Sequence, residues 1–271
     1  MKSLLGGLVI AALAWGTAQA APYGTETPPP ELQRHDAIDT SRQAQMRLAF
    51  TEINEGFALY QRGELTGAER KFRAAIARNP DEPQGSTAQY DLGLVLARTG
   101  RYDEAARAFD TALGRDPGIL PAWLGLVYVD LRRGKYEEAQ RDARAMRASA
   151  PSSALARYQE GYAALLNRDY DLAASAFAAL LPGNASVASL RYNLGLALLR
   201  AGRIDDARVE AQHAVALAPT FAKGYFLLGS IALRAGDRNG AEKAYAHARA
   251  LTSDPSMRLL CDDVLHQLRA R

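Results

Sequence analysis

The sequence predicts an all-α chain made of six helix-turn-helix units stacked on one another. Three observations carry this. Small residues recur at a fixed interval: Gly56, Gly93, Gly161, Gly195 and Gly229 are spaced 37, 68, 34 and 34 residues apart, with Val127 at the midpoint of the long gap. Two further series keep step with them. Ala68, Ala105, Ala139, Ala173, Ala207 and Ala241 lie twelve residues after each such position, and Phe72, Phe109, Ala143, Phe177, Ala211 and Tyr245 four residues beyond those. Finally, no stretch alternates apolar and polar residues as a half-buried strand would.

The elements follow in order. "MKSLLGGLVIAALAWGTAQA", residues 1–20, has Lys2, an apolar run from Leu4 to Trp15, and Ala18-Gln19-Ala20 at its end. This is the layout of a signal peptide cleaved after Ala20, and its apolar run is short of the ~20 residues that span a bilayer. Residues 21–45 are polar, carry Pro28-Pro29-Pro30 and read as an extended, flexible tether. The remaining domain, 46–271, divides into repeats 49–82, 86–119, 120–153, 154–187, 188–221 and 222–255. The first helix of a unit ends at a turn carrying Gly63, Gly100, Gly134, Gly202 or Gly236, since glycine tolerates the left-handed conformation past a helix end. Asp103-Glu104 and Asp205-Asp206 open second helices, where carboxylates suit the positive end of the dipole. Pro80, Pro117, Pro151 and Pro219 close four units.

Gly195 lies mid-helix, which costs about 1 kcal/mol relative to alanine. A close approach of the paired helix, with Gly195 against Ala207, offsets that cost. Repeat three departs from the pattern, with Val127 in place of glycine and Ala143 in place of an aromatic, an exchange that conserves volume. Repeat four carries Pro182-Gly183, so its second helix stops early. Residues 256–271 form a closing helix capped by Asp254, with Pro255 in its first turn. Its apolar stripe is Met257, Leu260, Cys261, Val264 and Leu268.

The 34-residue period, the two-helix unit and the Gly…Ala…Phe…Pro offsets resemble the tetratricopeptide repeat (TPR) family. Trp123 supplies the tryptophan typical of the family's first helix; Glu52, Gln89, Arg157, Arg191 and Tyr225 replace it elsewhere. The resemblance implies a right-handed α-solenoid of six TPR units with a C-terminal capping helix. It also implies that the first helices line a concave groove that receives an extended or helical peptide.

Residues four apart share a helix face. On the first helices this gives the columns Tyr90, Leu94, Arg98; Leu124, Tyr128, Arg132; Tyr158, Tyr162, Leu166; Tyr192, Leu196, Arg200; and Phe226, Ser230, Arg234. The aromatics offer contact area at low entropic cost and the arginines suit carboxylates, so the columns fit a peptide with apolar side chains and an acidic group. Tyr128 and Tyr162 are the members least like the family consensus. A second reading stays open: the aromatics pack between neighbouring units and the arginines are solvated rim charges.

Composition narrows the classes. The chain carries 33 basic and 30 acidic residues, a net charge of +3 that loss of Lys2 lowers to +2. The signs are interspersed, a weak case for nucleic acid. The single cysteine, Cys261, excludes an internal disulfide and reads as a small buried hydrophobe. There is no phosphate loop, no His-Glu-x-x-His, no Gly-x-Ser-x-Gly and no Cys-x-x-Cys. His213 and His247 stand 34 residues apart, one unit of at least about 8–10 Å, too far for nitrogens that must both lie ~2 Å from one metal. No cofactor or metal is expected. The expectation is a non-enzymatic, periplasmic scaffold that holds a peptide or partner protein during assembly of a secretion, pilus, polysaccharide-export or cytochrome-maturation machine. A self-associating structural subunit with an idle groove is the alternative. An enzyme is the remote one, since it needs a clustered polar site.

Overall fold

The computed structural model describes residues 40–78 and 83–270. The signal peptide, most of the tether with its three prolines, His35 and Pro80 lie outside the described residues. Those residues fold into fourteen helices and no strand. The chain divides at Pro151/Ser152 into two compact units.

The first unit holds three helix pairs. They are α1 (Thr40–Gln61) with α2 (Leu65–Arg78), α3 (Pro83–Arg98) with α4 (Tyr102–Arg115), and α5 (Leu120–Arg133) with α6 (Tyr136–Ser149). Helix α1 begins inside the stretch assigned to the tether. Each helix packs against its neighbours in sequence, the arrangement of an α-solenoid. Phe109 on α4 shows what sets the spacing. A Cβ added at Gly93 would fall 2.6 Å from its ring, and one at Gly125 only 2.5 Å away. One fully buried phenylalanine thus fills notches in its own unit's first helix and in that of the next. Repeat three tolerates Val127 because its second helix has Ala143 rather than a ring to receive; both are buried. The Pro117 carbonyl accepts hydrogen bonds from Trp123 Nε1 at 2.9 Å and from Ser149 Oγ at 3.0 Å, tying the entry of α5 to the end of α6.

The second unit begins with α7 (Ala154–Leu166) and α8 (Tyr170–Ala178), followed by the four-residue α9 (Leu181–Asn184). Helix α8 does stop early, before Pro182-Gly183. Then come α10 (Ala188–Arg200) with α11 (Ile204–Leu217), α12 (Ala222–Arg234) with α13 (Arg238–Leu251), and the closing helix α14 (Pro255–Arg269). A Cβ on Gly195 would lie 3.3 Å from the Ala207 carbonyl oxygen and 3.4 Å from the Ala211 nitrogen. Here, where the second helix carries Ala211 instead of an aromatic, the glycine admits the helix backbone itself. Asp254 caps α14, accepting from Ser256 N at 2.9 Å. Met257, Cys261 and Leu265 are buried against Tyr245, with Val264 and Leu268 half-buried beside them. Leu260, expected on that stripe, is 47% exposed, because the buried face of α14 is rotated toward Leu265.

The turns between paired helices repeat one geometry. Gly63, Gly100, Gly134, Gly202 and Gly236 all have φ between 75° and 84°. At the corresponding place in repeat four stands Arg168, with φ 66°. Its NH donates to Leu165 O at 3.3 Å and the next NH to Ala164 O at 2.9 Å, the same pair of bonds that Gly202 and Arg203 make to Leu199 and Leu198.

Candidate functional site

Four of the five columns run from a packed aromatic or leucine to an exposed arginine, whereas the column of Tyr158 and Tyr162 ends in the half-buried Leu166. In the first unit Tyr90 and Leu94 are buried, and Tyr90 packs on Phe109 at 6.0 Å between ring centroids. Burial pushes the Tyr90 hydroxyl pKa up. Arg98 closes the column in solvent, its guanidinium 5.2 Å from the centre of the Tyr60 ring and its Nη1 donating to the Tyr60 carbonyl at 3.4 Å. On α5, Leu124 is half-buried, Tyr128 is buried at 8% exposure, and Arg132 is exposed. Arg132 Nη1 donates to the Tyr128 hydroxyl at 2.9 Å, and the guanidinium lies 5.0 Å from the Tyr102 ring centre and 5.7 Å from that of Tyr128. Tyr102 meets Tyr128 edge-on at 6.4 Å. A weakly hydrated guanidinium over aromatic faces keeps its donors in one orientation.

In the second unit Tyr158 and Tyr162 are half-buried and stack at 6.4 Å with rings 6° from parallel. The Tyr158 hydroxyl accepts from the buried Asn193 amide on α10 at 2.8 Å, and burial pushes its pKa up to about 12. Tyr192 and Leu196 are half-buried, and Tyr192 meets Phe221 edge-on at 5.5 Å. Phe226 packs on Tyr245 at 5.1 Å, and the Ser230 and Tyr245 hydroxyls lie 2.9 Å apart. Arg200 and Arg234 end their columns exposed.

The four column arginines share a property. Arg133, Arg101, Arg78 and Arg191 hold carboxylates at 2.6–2.8 Å. Arg98, Arg132, Arg200 and Arg234 make no carboxylate ion pair among the described residues. They sit in the last turns of α3, α5, α10 and α12, where the negative end of the helix dipole favours a cation.

Two tyrosines that hold arginines, Tyr60 and Tyr102, are absent from the column list. Tyr102 carried a signal: it, Tyr136 and Tyr170 follow one another at 34-residue intervals, directly after the turn. The histidines are placed apart. His213 Nδ1 lies 3.1 Å from Arg191 Nη1, and His247 stacks on Tyr225 at 4.4 Å. Among the described residues no three His, Cys, Asp or Glu side chains converge as a metal site would require. Cys261 is fully buried, and its thiol pKa is raised by that burial.

Tetratricopeptide repeat models match residues 54–118, 167–220 and 192–257, and a second such model matches 96–165, together well over half the chain. The chain belongs to the tetratricopeptide repeat family. Solved TPR folds agree. A tetratricopeptide repeat protein from Parabacteroides merdae superposes with a TM-score of 0.59 at 17% identity, over 82% of this chain and 99% of that one. PilF of Pseudomonas aeruginosa gives 0.59 at 17% identity, over 84% and 99%. YrrB, described as a TPR protein with an unusual peptide-binding site, gives 0.57 at 18% identity, over 71% and 97%. At these identities the likeness shows the fold. TPR proteins are in general non-catalytic scaffolds for protein partners. Among the described residues no helix is long and apolar enough to cross a membrane.

Proposed function

We propose that this TPR protein is a non-enzymatic adaptor, exported to the periplasm, that holds an extended, acid-bearing segment of a partner protein against its first helices. The observation that carries this reading is the set of exposed arginines ending successive columns, Arg98 and Arg132 in one unit and Arg200 and Arg234 in the other, with no carboxylate partner among the described residues. Beside them the half-buried Leu124, Tyr162, Tyr192 and Leu196 offer apolar contact. An arginine already oriented by aromatic rings loses little freedom when it meets a carboxylate. Export rests on residues 1–20, and a mature N-terminus at Ala21 by terminal sequencing is the expected result. Assembly of an envelope machine of the secretion, pilus, polysaccharide-export or cytochrome-maturation kind is the setting we favour.

The test is a panel of extended peptides of equal apolar content and increasing Asp/Glu count, titrated against the mature chain. Affinity is expected to rise with acidity and to fall with salt. The Arg98→Glu/Arg132→Glu and Arg200→Glu/Arg234→Glu variants should each weaken binding about tenfold or more while the chain stays folded, at a cost of about 1–2 kcal/mol in stability from the reversed charge at the helix ends. Equal binding of acidic and neutral peptides would refute the reading. The second reading, self-association, is favoured by Leu259 and Leu260 on α14, which are 65% and 47% exposed. Sedimentation that speeds up with concentration, and stops doing so in Leu259→Lys, would support it.

A further inference from the structure

Between α4, α5 and α6 lies a polar niche of about 210 Å³ lined by four aspartates: Asp103, Asp110, Asp130 and Asp142. Asp130 and Asp142 are 3% and 6% exposed, unusual for carboxylates. Asp130 is held by Arg133, whose Nη1 reaches its Oδ1 at 2.7 Å while Nη2 reaches Asp103 Oδ1 at 2.7 Å. Asp142 receives Arg141 Nε on Oδ1 at 3.2 Å. Its other oxygen, Oδ2, is buried with no hydrogen-bond partner. An ionised carboxylate carries a heavy penalty in that condition.

The chemistry of the neighbours resolves the orphan. The Asp130 carboxyl lines the same niche and raises the Asp142 pKa. Two carboxylates cannot hydrogen-bond to each other, but a carboxylic acid donates to a carboxylate. The charges lining the niche agree. From α4 come Asp103, Arg107 and Asp110, from α5 Asp130 and Arg133, from the turn Lys135, and from α6 Glu138, Arg141 and Asp142. Five acids face four bases, so one added proton makes the niche neutral.

We propose that Asp142, buried beside Asp130 in this niche, keeps a proton that holds α5 against α6, so that this joint of the first unit weakens when the proton is lost. Burial first, and then the Asp130 carboxyl, push the Asp142 pKa up to about 7, while Asp110 is raised by burial and by Asp130. Between the ordinary aspartate range and about 7 the folded chain therefore binds one proton more than the unfolded chain. Its stability falls as pH rises through that window and levels off above it. The affected helix is the one that carries Leu124, Tyr128 and Arg132, so the device sits behind part of the proposed binding face.

Asparagine at 142 offers a permanent amide donor where the acid offers a titrating one. Denaturant unfolding of the mature chain at pH 5, 6, 7 and 8 is the first measurement. The wild type is expected to lose folding equilibrium constant with rising pH, by at most about tenfold per unit from this proton. Asp142→Asn should lose less stability than the wild type between pH 5 and pH 8 and exceed it at pH 8, the remaining slope being that of Asp91. Asp91 on α3, also raised to about 7 by burial, is the necessary control. In Asp91→Asn the pH dependence assigned to Asp142 should persist, and carboxyl carbon NMR should still show one aspartate titrating near neutrality. Two results would overturn the proposal. One is Asp142→Asn losing stability equally at pH 5 and pH 8. The other is every carboxyl of Asp91→Asn titrating in the ordinary acidic range.

Discussion

Replacing Arg168 with glycine should stabilise the protein. The residue has φ 66° at a helix end where the other five turns carry glycine at 75–84°. A left-handed conformation costs an L-residue roughly 1–2 kcal/mol through the clash of Cβ with the backbone. Glycine forfeits part of the gain, roughly 0.4–1 kcal/mol, because it frees the unfolded chain. The Arg168 side chain is exposed, so its removal opens no cavity. The net expectation is a gain of about 0.5–1 kcal/mol, or a rise of about 1–4 °C in melting temperature for a folded region of this size. The assay is urea unfolding, reading the midpoint at unchanged slope. Gly202→Ala, made at φ 84° in the equivalent turn of the same unit, is the reciprocal variant and should lose about 1 kcal/mol. A lower midpoint for Arg168→Gly beside the expected loss in Gly202→Ala would refute the reasoning, and would mean that the arginine side chain contributes more than its backbone strain costs.

The mid-helix glycines should divide by what faces them. Gly93→Ala drives a methyl into the Phe109 ring at 2.6 Å and should cost about 1–3 kcal/mol in thermal or urea unfolding. Gly195→Ala meets nothing nearer than Leu227 Cδ2 at 3.2 Å, and its gain in helix propensity should hold the change within about 1 kcal/mol of wild type. Tyr158→Phe removes the acceptor of the Asn193 amide, which stays buried, and should cost about 1–3 kcal/mol. The double variant Tyr158→Phe/Asn193→Leu should recover part of that loss, and failure to do so would assign the cost to packing rather than to the orphaned amide.

The repeat pattern was legible because steric necessity writes it into the sequence. A ring such as Phe109 leaves no room for a Cβ opposite, so the glycine recurs wherever an aromatic does, and relaxes to Val127 where Ala143 replaces the ring. The turn glycines were legible for a related reason, the cost of positive φ. Arg168 escaped because that cost is small enough for a single turn to bear. The columns were legible as faces but not in depth. Spacing by four places Tyr90, Leu94 and Arg98 on one side of α3; it does not say how far the neighbouring unit covers them. Tyr128, which the sequence singles out for contact with a partner, is buried under Tyr102 and Arg132. Its truncation would remove core packing together with any binding role. The Asp130–Asp142 pair was invisible because a carboxylate twelve residues along, across a turn, carries no signature that separates it from a solvated face.

The gradient of burial along the four arginine-ended columns separates stability from recognition. At the inner end the aromatics lock one unit to the next, as Tyr158 does through Asn193, and their hydroxyl pKa values are raised by burial. At the outer end the arginines stand in solvent at helix C-termini, where the dipole supports them without a carboxylate from their own chain. Pairing such an arginine internally would not improve the fold much, since exposed ion pairs contribute at most about 1 kcal/mol. It would also consume the one group on the column that can discriminate between partners by charge. The solvated-rim reading predicts that arginine and lysine serve equally at these positions. Recognition predicts that they do not, because Arg132 depends on a planar guanidinium to lie over Tyr102 while donating to Tyr128.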